Sequence, residues 1–109
     1  MEELLNRLVT QAKAQGAVAQ AVLDSGMRLF VYPLDKGQLA ALGWPHASGH
    51  VVHGETLMAR RGANMARYGA WLPALFADGG WYVARRIGVD DGAGLPDDAQ
   101  LRAAEELLQ

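Results

Sequence analysis

Met27-Arg28-Leu29-Phe30-Val31-Tyr32-Pro33 is the stretch on which the fold turns. Successive residues of a strand point to opposite faces, so Met27, Leu29 and Val31 share one face and Arg28, Phe30 and Tyr32 the other. A strand with one wet face alternates apolar with polar residues. Here both faces carry apolar bulk. One face therefore meets a core, and the other meets something else. The strand is bracketed by Asp24-Ser25-Gly26 and Leu34-Asp35-Lys36-Gly37. Both read as turns, because Asp and Ser side chains bond nearby backbone and Gly accepts positive φ. The first triplet also spells the aspartic-protease signature. The glycine and apolar signatures that accompany it in retroviral-type enzymes are missing, so we read it as an ordinary turn.

Working outward, Gln38 to Trp44 reads as a second strand, weakened by Ala40-Ala41. A bend follows Pro45, and Val51-Val52 is a short third strand, completing a meander. Upstream, Leu4, Leu5, Leu8, Val9 and Ala12 form one apolar stripe of a helix that Gly16 ends. Ala17 to Leu23 prolongs that helix or connects it to the strand, and we read a connector. Downstream, Glu55 to Arg67 returns to helical spacing, with Leu57, Met58, Met65 and Ala66 on one side. Its Ala59, Gly62, Ala63 and Ala66 are small, and a glycine within a helix costs about 1 kcal/mol relative to alanine. Close approach of another backbone commonly offsets that cost. This helix is a candidate contact with another helix, within the chain or between subunits.

Ala70 to Ala77 has helical spacing but ends at Asp78-Gly79-Gly80, a hairpin signal, with Trp81 to Ile87 beyond it. We read a hairpin, with Pro73 demanding an edge strand or a bulge. Asp90 to Gly94 reads as a loop. Asp97 and Gln100 spell a capping box that opens a last helix lined by Leu101, Ala104 and Leu108, in which Arg102 can pair with Glu105 or Glu106. The expected architecture is one α+β domain over residues 1–109. Its order is α-β-β-β-α-β-β-α, a two-layer sandwich of helices against an antiparallel sheet.

Composition excludes several function classes. The 109 residues hold 10 Lys and Arg against 12 Asp and Glu, a net charge of -2, so no broad basic footprint exists for nucleic acid. With no cysteine, disulfides, thiolate zinc sites and a cysteine nucleophile are all excluded. The acidic start Met1-Glu2-Glu3 is unlike a signal peptide, and uncharged stretches such as Gly16 to Leu23 fall far short of the roughly 20 residues needed to span a bilayer. A soluble, cytoplasmic protein with no membrane partner is expected.

The candidate chemistry is sparse. His46, His50 and His53 are the one metal-like constellation, but Pro45, Gly49 and Gly54 argue against a helix that would align them. We read them as loop histidines, with no metal and no cofactor. Arg60, Arg61, Arg67, Arg85 and Arg86 could form a patch interleaved with Trp71, Trp81 and Tyr82. The helical arginines spread around their axis, however, and solvated faces with local ion pairs are the simpler reading. No phosphate loop and no nucleophile elbow occur, and the serines are Ser25 and Ser48. No catalytic residue is assigned and no enzyme is expected. What remains is surplus aromatic bulk. Phe30, Tyr32, Trp44, Trp71, Trp81 and Tyr82 are more than a two-layer core of this size obviously needs, and surplus apolar surface implies a partner; the alternative is that the tryptophans simply fill the core.

The element order and several strings resemble the small acidic chaperones of bacterial type III secretion. Leu4-Leu5-Asn6-Arg7-Leu8 through Gly16, then Leu23-Asp24-Ser25-Gly26, is similar to that family's first helix and its entry into the first strand. Leu57 to Asn64, Tyr68-Gly69-Ala70 and Asp78-Gly79-Gly80-Trp81-Tyr82 resemble its second helix and following hairpin, and Leu95 to Leu108 its last helix. The chain is short for the family, and Trp44 to Gly54 departs from a clean third strand. The resemblance implies a homodimer without catalytic activity or ATP. It would bind the N-terminal segment of a secreted effector, extended along apolar grooves, and keep it soluble and competent for secretion. On this chain the client-binding residues would be Leu5, Leu8, Phe30 and Tyr32. The dimer interface would be Leu57, Met58, Gly62, Met65 and Ala66. The alternative is a small non-enzymatic interaction protein, an immunity or regulatory domain, that binds a folded partner.

Overall fold

The computed structural model describes residues 1–87 and 95–109; the expected loop Asp90 to Gly94 lies outside them. The elements are α1 (Glu2–Gln15), β1 (Ala19–Val22), β2 (Arg28–Pro33), β3 (Gln38–Gly43), a 3-10 turn (His46–Ser48), α2 (Gly54–Ala63), α3 (Met65–Tyr68), β4 (Leu72–Leu75), β5 (Trp81–Ile87) and α4 (Asp98–Leu107). The chain is α+β. The five described strands form one antiparallel sheet in the order β1-β2-β3-β5-β4.

The meander is there, but it is made one segment earlier than expected. Ala17 to Leu23 is not a connector: Ala19–Val22 pairs with β2, Ala19 opposite Val31 and Val22 opposite Arg28. The run is alanine-rich and has little strand preference of its own. Pairing with β2 across the Asp24-Ser25-Gly26 turn supplies it, as tertiary context does for weak strands. That turn is closed by Leu23 N–H donating to Met27 carbonyl at 2.8 Å, with Gly26 at φ 96°. Val51-Val52 is not a strand. Past Pro45 the chain takes the 3-10 turn that Gly49 ends at φ 80°, and Val51 is left exposed.

The long helix is likewise broken. Asn64 sits at φ -147°, ψ 71°, and its side chain accepts from Arg67 N–H at 3.3 Å, capping α3 instead of continuing α2. Asparagine favours caps over helix interiors, and Gly62-Ala63 before it adds little packing to resist the break. The hairpin and Pro73 fall as expected. β4 is an edge strand, and proline there leaves no inner ladder donor missing.

All the main helices pack on one face of the sheet. Leu5, Leu8 and Ala12 of α1, Leu57 of α2 and Leu101, Ala104, Leu107 and Leu108 at α4 meet Leu29, Val31, Ala40, Leu42, Val83 and Ile87. Trp71 is 1% exposed and donates its indole N–H to Gln100 carbonyl at 3.0 Å, tying the α3–β4 connection to α4. The capping box of α4 is complete, with Asp97 Oδ1 and Gln100 Oε1 each accepting from the other residue's N–H.

The arginines of α2 hold this layer together. Arg60 Nη1 donates to the carbonyls of Glu106, Leu107 and Gln109 at 2.7, 3.2 and 3.0 Å, placing a cation at the negative end of α4. Arg61 donates to Trp71 and Gly69 carbonyls. Glu106 is not held by Arg102. It accepts a bidentate pair from Arg67, both at 2.8 Å, and a third bond from the Tyr68 hydroxyl at 2.9 Å.

Candidate functional site: the open face of the sheet

The second apolar cluster lies on the opposite face, and no described helix contributes to it. Its members are Ala41, Tyr82 and Ala84, with Phe30, Tyr32, Leu39 and Phe76 packed against them. The register explains how it forms. Gln20, Phe30, Ala41, Ala84 and Leu72 stand in one row across the sheet. Val22, Arg28, Gly43, Tyr82 and Ala74 form the next, and Tyr32, Leu39 and Arg86 a third. Small residues at the centre make a floor on which the rings lie.

Gly43 is the clearest case. A Cβ there would run into the Tyr82 ring and the Trp81 carbonyl, so the absence of a side chain lets that ring lie flat on the strand. Phe76 then folds back over Tyr82, ring centroids 4.1 Å apart and 17° between planes. The tight turn after it makes this possible. Phe76 N–H donates to Gly80 carbonyl at 3.0 Å, Gly79 N–H to Phe76 carbonyl at 2.9 Å, and Gly79 takes φ 85°. Asp78 fixes the corner, Oδ1 accepting from Gly80 N–H at 2.7 Å and Oδ2 from the Tyr82 hydroxyl at 3.3 Å. Phe30 stands 5.5 Å from Tyr82 and 5.8 Å from Tyr32.

The Tyr82 hydroxyl is pushed up to about 12, first by burial and then by the Asp78 carboxylate beside it, while Arg28 pulls the other way. Burial also raises Tyr32, again with Asp78 adding to it. Both phenols are therefore neutral at physiological pH. Tyr82 is fully buried, but Phe30, Tyr32, Leu39 and Phe76 are only half-buried, and Leu72 at the β4 edge is 59% exposed.

The structure separates the residues expected to bind a client. Leu5 and Leu8 lie in the core, 1% and 4% exposed, on the helix side. Phe30 and Tyr32 lie on the other side, and the sheet stands between the pairs. An amphipathic helix has one apolar stripe, and that of α1 is consumed in covering Leu29 and Val31. The groove with α1 as its wall does not exist. Its sheet half does, enlarged by Leu39, Leu72, Phe76 and Tyr82. Alternation along β3 could have revealed Leu39, and alternation along β4 from Leu72 and Ala74 could have revealed Phe76.

Of the residues expected at a dimer contact, Leu57 is 1% exposed in the core and offers nothing to a second subunit. Met58 and Met65 are 53% and 51% exposed, and Gly62 and Ala66 are exposed. No atom lies within 4 Å of where a Cβ of Gly62 would stand, so no helix within the described chain approaches it.

The histidines serve a different corner. The His50 ring stacks on Trp44 at 4.1 Å, and Trp44 donates its indole N–H to Leu108 carbonyl at 3.1 Å. Together with His46, Val52, Gly79 and Trp81 they line a cavity of about 370 Å³. Among the described residues no three His, Cys, Asp or Glu side chains converge. No described helix is long and apolar enough to cross a membrane. Comparison with known proteins returns no family model, no curated protein and no solved structure that matches the chain.

Proposed function

We propose that this protein is a type III secretion chaperone: a cytoplasmic homodimer that binds the N-terminal segment of a secreted effector and keeps it unfolded, soluble and competent for secretion. It does so without ATP and without catalysis. The observation that carries this reading is the aromatic face of the sheet, which no described helix covers. Monomeric proteins rarely leave a contiguous apolar patch of this kind uncovered unless something binds there. Rings on a sheet face suit the apolar side chains of an extended chain, which contributes area without a fold of its own. A three-stranded meander before the central helices and a hairpin after them, backed by the described helices on one face only, support the same reading. The exposed Met58, Gly62, Met65 and Ala66 offer a separate surface for the second subunit.

The test is co-expression with the N-terminal segment of a secreted effector, followed by light scattering on the purified complex. The expected result is two chaperone copies holding one soluble, unfolded segment. A monomer that leaves the segment aggregated would overturn the reading. One observation favours a second reading: the face is flat and has no helical wall. A folded partner with a flat surface of its own would fit it. A pull-down that yields a globular partner, resistant to protease while bound, would select that alternative.

A further inference from the structure

Two sets of arginines differ in what they meet. Arg60, Arg61 and Arg67 are engaged on the helix side, where carbonyls and Glu106 accept every bond described above. Arg28 and Arg86 stand on the open face, in the rows of Tyr82 and of Tyr32. Arg28 has no carboxylate within ion-pair distance among the described residues, and its charge reaches the Tyr82 hydroxyl. Asp78, at the same end of the face, has both oxygens engaged by Gly80 N–H and the Tyr82 hydroxyl. An acidic protein thus carries two cations on its aromatic face, against the one carboxylate of Asp78.

We infer that the open face selects its ligand by charge, seating an extended segment whose apolar side chains are interspersed with carboxylates that Arg28 and Arg86 receive. This rests on the chaperone reading and adds to it the chemistry of the client. A second copy of this chain is the wrong occupant. Two such faces brought together would set the Arg28 and Arg86 side chains of one copy against a surface that carries the same two cations, and like charges across an interface are repelled. A single-stranded nucleic acid is also a poor fit. The chain is net acidic, with 12 Asp and Glu against 10 Lys and Arg, and the two arginines of the face fall far short of the basic groove that tracks a phosphate backbone.

The test uses two fluorescein-labelled peptides of about ten residues, one alternating Leu with Glu and the other Leu with Lys, with binding read by anisotropy. The Glu peptide is expected to bind about tenfold more tightly than the Lys peptide, a preference that fades with added salt as the charges are screened. Arg28→Glu should erase or reverse the preference and Arg28→Lys should keep it. Arg7→Glu on the exposed side of α1 should leave it unchanged, with circular dichroism confirming each fold. Equal binding of the two peptides by the native protein overturns this inference while the chaperone reading stands. So does an Arg28→Glu variant that keeps the preference. Oligouridine displacing the Glu peptide from the face also overturns it. Failure to bind either peptide, together with failure to keep an effector segment soluble, overturns the chaperone reading itself.

Discussion

The two faces of one sheet solve the problem of apolar burial in opposite ways. On one face, β2, β3 and β5 present aliphatic side chains, and three helices cover them until Leu29, Val31 and Leu42 have no exposure at all. On the other, the same strands present rings over an alanine and glycine floor, and the rings cover one another. The first is closed and carries the stability of the fold. The second buries Tyr82 completely but leaves its neighbours half open. A sheet that needed only to fold would have polar residues there. The cost of keeping rings at the surface is solubility risk, and a ligand is the usual reason to bear it.

Breaking the closed face should have the largest effect. Trp71→Ala removes a buried indole and its bond to α4, and should cost about 3–5 kcal/mol, with Leu42→Ala at about 2–5 kcal/mol. Phe30→Ala on the open face should cost less, about 1–2 kcal/mol, because half the ring is already in water and only its ring contacts are lost. Urea unfolding of the three variants checks the order. If Phe30→Ala proved as costly as Leu42→Ala, the open face would be a second core and not a binding surface.

Two glycines sharpen the comparison further. Gly43→Ala forces a methyl into the Tyr82 ring and the Trp81 carbonyl, and should cost about 1–3 kcal/mol as overpacking does. Gly62→Ala places the same methyl in open space near the end of α2, and should stabilise an isolated chain by up to about 1 kcal/mol. If a second subunit packs on Gly62, the same substitution should weaken the dimer. Thermal melts over a range of protein concentrations separate the two effects.

These contrasts also show what the sequence could and could not reveal. Strand periodicity places Leu29 and Phe30 on opposite faces without ambiguity, and Asp97 with Gln100 identifies the start of α4 by chemistry alone. β1 was not legible, because Ala19-Gln20-Ala21-Val22 becomes a strand only once β2 lies beside it. Val51-Val52 misled for the converse reason: two β-branched residues suggest a strand, but no neighbour is placed to pair with them. The open face was half legible. Phe30 and Tyr32 announce it locally, whereas the ring contacts of Phe76 depend on β4 being an edge strand beside β5 rather than the helix that its spacing also allows. The placement of α1 on the far side was decided by competition. Its single stripe of leucines could cover one face, and the aliphatic one took it.

Alkaline pH probes the closed corner of the open face. Tyr82 holds its proton up to about 12 in the folded chain, whereas an unfolded tyrosine loses it near 10. A folded pKa raised in this way means the stabilisation is full below pH 10 and is lost as the pH rises from there through about 12. Tyr82→Phe should remove the share of that loss that Tyr82 carries, leaving the part due to Tyr32. Tyrosinate absorbance of the native protein, compared with that of Tyr82→Phe, should show Tyr82 ionising well above the ordinary phenol range. Acid acts on the helix side. Hydrogen bonds from Arg67 and then Tyr68 hold the Glu106 carboxyl below its ordinary range, so its contribution is present at neutral pH and is lost as the pH falls through the folded value. Glu106→Gln should flatten the acid limb of the stability curve without touching the alkaline limb.

The smallest effect on stability should come from Leu72, at the rim of the open face. It is 59% exposed on an edge strand, in the row of Phe30, Ala41 and Ala84. Leu72→Lys removes little buried area, and should change stability by no more than about 0.5 kcal/mol. A lysine on an edge strand is also a common guard against strand pairing, so the variant should be at least as soluble as the parent. Binding should respond differently. The substitution takes an apolar side chain from the rim and adds a third cation to a face already flanked by Arg28 and Arg86. A client held mainly by apolar contact would be lost, whereas one held mainly by its carboxylates would be retained or tightened. Measuring the affinity of the Leu–Glu peptide for Leu72→Lys therefore apportions the face between its rings and its charges, with the fold held constant.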